Sequence, residues 1–147
     1  MPRVIRSTIV DAPTDRVWDV VRDFNGYARW HPAVQTSTIA RREPADEVGC
    51  VRRLQLADGA EVEEKLLTLS DLEQSCSYCL LETTVPLFNY VAHLRLLPVT
   101  DGDRTFWSWE ARFTTRRGEE AEMERLIADG IFLAGFAGAR RQLGLGD

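Results

Sequence analysis

The sequence is poor in the residues that usually build metal sites, disulfide frameworks and membrane spans. Its 147 residues include only three cysteines and two histidines. An odd cysteine count without an export signal favours reduced thiols in the cytoplasm, and the polar opening of residues 1–6 lacks the apolar segment of a signal peptide. The longest uncharged stretch of the last third, residues 130–139, is shorter than the roughly 20 residues that a bilayer requires. We therefore expect a cytoplasmic protein without a membrane span.

Lysine is almost absent, and negative charge is in excess. Lys65 is the one lysine among 18 basic residues, the formal net charge is −5 and the pI is about 5.1. Nucleic-acid binders concentrate positive charge on one surface, whereas the paired arginines here are scattered along an acidic chain. We expect no nucleic-acid partner. The chain also lacks a P-loop, a dinucleotide fingerprint and a nucleophile elbow, and we predict no cofactor.

The chain reads as a single domain over residues 1–147, because no repeat, low-complexity tract or linker interrupts it. β-branched residues predict a strand over 3–10. A helix is expected to start with Pro13 at its first position, to carry an apolar stripe through Phe24 and to end at Asn25–Gly26. A short turn over residues 27–30 should stop before Pro32.

The rest of the chain predicts strands followed by one helix. Turn residues such as Asp58–Gly59 separate strand candidates at 34–42, 49–56, 60–69, 75–84, 88–97 and 104–115. Short loops between them indicate hairpins and hence an antiparallel sheet. Residues 119–145 predict one long amphipathic helix whose second half is rich in small residues, which allow close packing or leave space beside the sheet. The expected fold is α+β: a curved seven-stranded antiparallel sheet around this helix, with a cavity between them.

Several short motifs occur in a characteristic order along nearly the whole chain. They are residues 12–18, Asp23–Phe24, Tyr27, Trp30–Pro32, residues 49–53, Asp58–Gly59, residues 64–66, Asn89–Tyr90 and Trp109. This ordered set resembles the polyketide cyclase/dehydrase-type SRPBCC proteins of the START-like, helix-grip superfamily. The resemblance implies the fold and a ligand cavity. It does not imply one function, because the superfamily includes lipid carriers, hormone receptors and cyclases.

The hairpin around Asp58–Gly59 predicts which side chains face inward. A two-residue loop would mix leucines with carboxylates on one face, whereas a three-residue loop with Gly59 in the left-handed conformation sets Leu54 opposite Val62. The second register separates apolar from polar residues, so we predict it. It places Arg52 opposite Glu64 on the inner face. Either the two charges simply neutralise each other near a sheet edge, or they serve a ligand in the cavity.

Alternation on the later strands assigns further residues to the interior. Tyr90, Ala92 and the residues in phase with Trp109 should face inward, and His93 outward. A buried Tyr90 hydroxyl needs a polar partner, which a ligand, Arg52, Glu64 or water could supply. Cys76 and Cys79 have CxxC spacing, but in a strand they point to opposite faces. We therefore predict no metal site and no disulfide between them.

His31 lies between Trp30 and Pro32, where the resemblance implies a helix at the cavity rim. It is either a loop residue at that rim or a catalytic acid/base. Trp30 is more readily interpreted as a wall of the cavity.

Three functions remain open at this stage. The first is binding of one small hydrophobic or amphipathic ligand, which is aromatic, polyketide-like or lipid-like, by a monomer or homodimer. The second is a polyketide cyclase or dehydratase in which Arg52 stabilises an enolate and Glu64, Tyr90 or His31 transfers protons. The third is an interaction module with a filled interior. The predicted ligand-binding residues are Phe24, Trp30, His31, Arg52, Leu54, Val62, Glu64, Tyr90, Ala92, Trp109, Ile127 and Ile131.

Overall fold

A computed structural model describes residues 1–146, and a seven-stranded antiparallel sheet curves around the C-terminal helix as predicted. The strands are β1 (Arg3–Val10), β2 (Val34–Ile39), β3 (Val51–Leu56), β4 (Glu61–Ser70), β5 (Ser75–Thr83), β6 (Leu87–Val99) and β7 (Arg104–Thr115). They are ordered β1-β7-β6-β5-β4-β3-β2, so β1 and β2 form the edges. Every strand from β2 to β7 pairs with its neighbour in sequence, because the connections between them are short turns.

Two short helices connect β1 to β2, and their ends differ from the prediction. Helix α1 covers Thr14–Val21 and α2 covers Tyr27–Trp30. Pro13 has extended backbone angles and precedes α1 as its cap rather than forming its first turn. Helix α1 also ends before Phe24. Strand β2 ends at Ile39 instead of residue 42, because residues 40–42 form a 3-10 turn in which Arg41 adopts a φ of 59°.

Asp71 anchors α1 to the turn between β4 and β5. Its carboxylate accepts hydrogen bonds from Trp18 Nε1 at 2.8 Å and from Arg22 Nε at 2.6 Å. The bonds from Arg22 and then Trp18 lower the pKa of Asp71 to about 2. The carboxylate therefore stays ionised and bonded across the whole neutral range.

The C-terminal helix is continuous but is not one regular α-helix over residues 119–145. It consists of α3 (Glu120–Arg125), a π-helical segment (Leu126–Leu133) and α4 (Ala134–Gln142). Within the π-helical segment, His31 Nε2 lies 2.7 Å from the Ile131 carbonyl oxygen. A side chain that bonds a helix carbonyl competes with the regular helical ladder, and wider turns of this kind recur where that happens.

Glycines bring α4 into close contact with α2. A Cβ atom at Gly138 would collide with the backbone carbonyl of Trp30, and one at Gly135 would lie 2.7 Å from the Trp109 ring. Of the two possibilities left by the sequence, the small residues therefore produce close packing. That packing leaves no space between α2 and α4, so the cavity lies at the other part of the helix.

Aromatic side chains fill the interior between the sheet and the second half of the C-terminal helix. The Trp107 ring lies 4.7 Å from Phe136, and the Trp109 ring lies 4.7 Å from Phe132, between centroids. Both tryptophans are fully buried, whereas His93 on the neighbouring strand is exposed, as the alternation predicted. This cluster forms the solid part of the core.

The two cysteines of the CxxC sequence lie on opposite faces of β5. Cys76 is buried and pairs with Leu94, whereas Cys79 is half-buried and pairs with the outward-facing Val91. Both thiols are free, and burial raises the pKa of Cys76 to about 11. The opposed directions agree with the strand geometry used in the prediction.

Arginine side chains cover backbone carbonyls along β1, one of the two edges of the sheet. Arg6 Nη1 donates to the Ile5 carbonyl at 2.8 Å, and Arg140 Nη2 donates to the Ile9 carbonyl at 2.9 Å. Residues four apart in a strand direct their carbonyls to the same side. Arg140 also links the end of α4 to this edge strand.

Candidate functional site

The β3–β4 hairpin has the predicted register. Leu54 pairs with Val62 and Arg52 pairs with Glu64, while Gly59 in the turn adopts a φ of 93°. A left-handed residue at this turn position is typical of three-residue hairpin loops. The register brings Arg52 and Glu64 together on the inner face, well inside the edge strand β2.

Arg52 and Glu64 form a buried ion pair with an unequal division of hydrogen bonds. Arg52 is 1% exposed and Glu64 6%. Arg52 donates from Nε at 3.0 Å and from Nη2 at 2.7 Å, both to Glu64 Oε1, and from Nη1 to the Phe24 carbonyl at 2.8 Å. Within residues 1–146, no protein group bonds Glu64 Oε2. One oxygen of the carboxylate is therefore committed to the pair, and the other remains an unused acceptor.

Three aromatic rings surround the guanidinium group. Arg52 Cζ lies 4.0 Å from the ring centroids of both Phe24 and Tyr27 and 4.8 Å from that of Tyr78. Burial alone would lower the pKa of Arg52, but the Glu64 carboxylate opposes this and the net shift is upward. Aromatic faces stabilise a desolvated cation, so the charge is held in place by rings as well as by the carboxylate.

A cavity of about 80 Å³ adjoins this pair, between the sheet and the π-helical segment. Its polar lining residues Glu64 and Tyr90 are buried, and we call their side of the cavity the inner end; its apolar lining residues Leu80, Val85 and Leu126 are half-buried, and we call their side the outer end. The lining consists of Tyr27, His31, Val34, Arg52, Leu54, Leu56, Asp58, Val62, Glu64, Tyr78, Leu80, Thr83, Val85, Leu87, Tyr90, Leu126, Ile127 and Ile131.

Most of the predicted ligand-binding residues line this cavity, but four do not. Those that do are His31, Arg52, Leu54, Val62, Glu64, Tyr90, Ile127 and Ile131. Ala92 and Trp109 are fully buried in the aromatic core, Trp30 packs against Trp107, and Phe24 lies on the far face of the guanidinium. Strand alternation correctly assigned Ala92 and Trp109 to the interior, but neither residue lines the cavity.

Sequence reasoning missed two tyrosines at the site. Tyr78 alternates in phase with the buried Cys76 on β5, so its inward direction could have been read from the same rule. Its hydroxyl accepts a hydrogen bond from Trp109 Nε1 at 3.1 Å. Tyr27 lies on α2, where one helical turn carries too little pattern to assign a face, and its buried hydroxyl has no hydrogen-bond partner among the described residues.

Tyr90 reaches the inner end of the cavity. It is 5% exposed, stacks on Phe113 at 6.1 Å between centroids, and its hydroxyl has no protein partner among residues 1–146. Burial, followed by the negative charge of Glu64, raises the pKa of Tyr90 well above its ordinary value. The hydroxyl is therefore a neutral hydrogen-bonding group close to the carboxylate.

His31 is buried rather than a loop side chain at the rim. It is 2% exposed, its Nδ1 accepts a hydrogen bond from the Ala33 backbone N–H at 3.1 Å, and its Nε2 donates to the Ile131 carbonyl. Burial lowers its pKa to about 4, although the bond to Ile131 opposes the shift. Both ring nitrogens are occupied and the ring is neutral at pH 7, so His31 joins α2 to the π-helical segment.

The sheet separates beside the outer end of the cavity. Strands β5 and β6 pair only between Ser75–Arg95 and Cys79–Val91. Beyond that point the Thr84 backbone N–H bonds to the Glu61 carbonyl instead, at 3.1 Å. The last residues of β5 thus follow β4 and leave β6, which places a gap in the cavity wall.

A larger open groove of about 790 Å³ lies on the outer side of this gap. It shares Leu54, Val62 and Leu80 with the inner cavity, but charged side chains such as Arg53 and Glu63 also line it. Ligand sites usually bury most of their ligand in an apolar space. The inner cavity, with its buried walls, is therefore the better candidate despite its smaller volume.

Two negative findings apply to residues 1–146. No group of three or more histidine, cysteine or acidic side chains is placed to hold a metal ion. No helix in this part of the chain is long and apolar enough to cross a membrane.

Comparison with known proteins agrees with the architecture. The family described as polyketide cyclase/dehydrase and lipid transport matches residues 1–142. A solution structure from Thermobifida fusca is 30% identical, with a TM-score of 0.84 over 99% of this chain and 95% of that one. The protein XoxI from Bacillus cereus is 22% identical, with a TM-score of 0.85 over 97% and 95% of the two chains.

An enzyme shares the same fold. The Zhui aromatase/cyclase from Streptomyces sp. R1128 is 21% identical, with a TM-score of 0.79 over 99% of both chains. Identity at this level establishes likeness of fold alone. No curated protein is significantly similar in sequence to this chain.

Proposed function

The chain belongs to the polyketide cyclase/dehydrase and lipid transport family, and from this premise we propose that it binds one small hydrophobic or amphipathic ligand in the inner cavity. One observation carries the proposal. The apolar side chains of Leu54, Val62 and Ile127 line the same cavity as two oxygen groups without a protein partner among residues 1–146, Glu64 Oε2 and the Tyr90 hydroxyl. Apolar walls supply affinity, and a few polar groups at one end orient the ligand.

These oxygens remain open to the cavity. Neither Glu64 Oε2 nor the Tyr90 hydroxyl is among the fully buried atoms without a partner, so a ligand group or water can bond each of them. A chain that needed only to fill its interior would do better with apolar side chains at both positions. The polar end is therefore better explained by binding than by packing.

Cavity size sets a limit on the ligand. A dry protein cavity of about 150 Å³ accommodates benzene, whereas the inner cavity measures about 80 Å³. A single ring therefore requires small side-chain movements, and a polycyclic or long-chain ligand requires the half-buried residues Leu80, Val85 and Leu126 to move outward. Leu80 and Val85 lie at the gap between β5 and β6, where fewer backbone bonds restrain them, and Leu126 belongs to the π-helical segment.

The groups at the site support binding more than catalysis. Arg52 is enclosed by rings and bonded to Glu64, so it is poorly placed to stabilise an enolate. His31 uses both nitrogens within the protein. Of the four candidate catalytic residues, Glu64 and Tyr90 thus remain available to a ligand, which suits recognition of a polar group and needs no cofactor.

Titration of ¹⁵N-labelled protein with single-ring aromatics and medium-chain alcohols tests the proposal. Binding in the inner cavity predicts saturable shifts in the amide resonances of Val62, Tyr90 and Ile127, with no shift at an exposed residue outside the cavity such as Leu72. Enlarging the cavity by Leu126→Ala should improve the affinity for the larger probes. Absence of saturable shifts with every probe in both forms of the protein would contradict the proposal and favour an interaction module with a filled interior.

A further inference from the structure

The inner end of the cavity offers hydrogen-bond acceptors and excludes negative charge. Arg52 directs Nε and Nη2 to a single oxygen of Glu64, in the geometry of an ion pair with a carboxylate. The second oxygen, Oε2, can then only accept a hydrogen bond. A ligand group that meets it must carry a donor hydrogen.

The positive charge of Arg52 is not available to a ligand in the same way. Its guanidinium lies 4.0 Å from the Phe24 and Tyr27 ring centroids, its Nη1 is bonded to the Phe24 carbonyl, and it is 1% exposed. A ligand carboxylate would meet the ring faces and the Glu64 charge before the cation. Two carboxylates at close range in a desolvated site repel each other strongly.

Tyr90 supplies the complementary group. Its hydroxyl can donate as well as accept, and Tyr90 and Glu64 both line the inner cavity. A ligand hydroxyl can donate to the carboxylate and accept from the tyrosine, so it satisfies both unpartnered groups with one atom. A carbonyl cannot donate, and a hydrocarbon can do neither.

We propose that the ligand's polar group is an un-ionised hydroxyl, phenolic or alcoholic, that donates to Glu64 Oε2 and accepts from the Tyr90 hydroxyl. This inference rests on the proposed binding function and narrows its ligand class. It separates neutral phenols and alcohols from fatty acids, other carboxylates and plain hydrocarbons. Hydrogen bonds to a charged, buried partner discriminate by roughly 10- to 100-fold against an analogue that lacks the hydroxyl.

Three matched probes of one ring test the inference: p-cresol, p-xylene and p-toluate, which differ only in a hydroxyl, a methyl or a carboxylate group. Dissociation constants from NMR titration of the full chain at pH 7 should rank p-cresol at least about 10-fold tighter than p-xylene. Binding of p-toluate should be weaker than that of p-cresol by at least the same factor.

Variants assign the discrimination to the two residues. Tyr90→Phe and Glu64→Gln should each remove most of the preference for p-cresol while leaving p-xylene binding within about 2-fold. Glu63→Gln, one residue away on the outer face of the same strand, is the matched control and should change neither constant. Because Glu64→Gln also weakens the buried pair, Tyr90→Phe keeps the test decisive if that variant does not fold.

The outcomes separate this inference from the broader proposal. Equal binding of p-cresol and p-xylene, or tightest binding of p-toluate, would overturn the hydroxyl assignment and leave cavity binding intact. If none of the three binds, larger alcohols that bind no more tightly than the matching alkanes would likewise overturn the hydroxyl assignment. Binding of nothing at all would remove the proposed function itself.

Discussion

Replacing Glu64 with leucine would leave Arg52 as a buried cation without its carboxylate. Breaking a buried ion pair in this way costs about 3–5 kcal/mol. The bond from Arg52 to the Phe24 carbonyl and the stacking on Phe24 and Tyr27 remain, and each cation–π contact offsets about 0.5–2 kcal/mol. We therefore expect Glu64→Leu to lower the free energy of unfolding by about 3 kcal/mol, at the low end of the range.

The reverse change, Arg52→Met, should be destabilising by a comparable amount, but with an upper limit. A stranded carboxylate can take up a proton, and protonating an ordinary glutamate at pH 7 costs about 3.7 kcal/mol, which caps the penalty. A guanidinium cannot lose its charge in this way, because it stays protonated at any accessible pH. The double variant Arg52→Met/Glu64→Leu removes both charges and should recover to within about 1–2 kcal/mol of the parent protein.

Urea unfolding at pH 7 measures this cycle, because the four tryptophans report loss of the core by fluorescence. The adjacent pair Arg53–Glu63 is a matched control. It occupies the next register position of the same hairpin, but on the outer face, with side chains 65% and 29% exposed and a 3.4 Å separation. We expect a coupling energy of at least about 2 kcal/mol for the inner pair and less than about 1 kcal/mol for the outer pair. Equal coupling energies for the two pairs would refute the reasoning.

Three further outcomes follow from the structure. Burial lowers the pKa of His31 from 6.5 to about 4. Between these two pH values only the unfolded chain gains a proton on this histidine, so the free energy of unfolding should fall by about 2 kcal/mol from pH 7.5 to pH 5. In urea titrations His31→Gln should abolish this pH dependence. The control variant at the exposed histidine, His93→Gln, should retain it. Gly138→Ala should lower the free energy of unfolding by about 3 kcal/mol or more because of its backbone collision, while Gly130→Ala, which meets only ordinary contacts, should be neutral or stabilising by up to about 1 kcal/mol. The lowered pKa of Asp71 means that its contribution to stability is present at neutral pH and is lost as the pH falls towards about 2, so Asp71→Asn should reduce Tm at pH 7 but much less at pH 2.

The local sequence pattern was sufficient to predict the sheet and the position of the charged pair. The facing of Arg52 and Glu64 followed from one comparison of turn lengths, because a shift of one residue would have moved every leucine of the hairpin to the solvent side. The same rule assigned Tyr90 inward and His93 outward. These features depend on the two-residue repeat of a strand and on the residue types of a turn, and both can be recognised from consecutive residues.

The shape of the cavity depends on contacts between distant elements, which pattern does not encode. Trp109 was correctly assigned to the interior, but whether space lies beside it depends on how closely Gly135 and Gly138 bring α4 to α2. His31 gave no periodic signal, and its burial is set by an acceptor a hundred residues later, the Ile131 carbonyl. The π-helical segment was missed for the same reason, since its apolar spacing resembles that of an α-helix.

The covered edge of β1 has a consequence for behaviour at high concentration. A sheet that does not close into a barrel offers unpaired backbone groups at its rim, and another molecule can extend it there, strand upon strand, into aggregates. The side chains of Arg6 and Arg140 donate hydrogen bonds to two of the carbonyls that an added strand would need. Both side chains are positively charged, so two copies paired at this edge would bring like charges close together. We therefore expect the arginines at this edge to disfavour the addition of a further strand, as lysine or proline does at many other exposed edges.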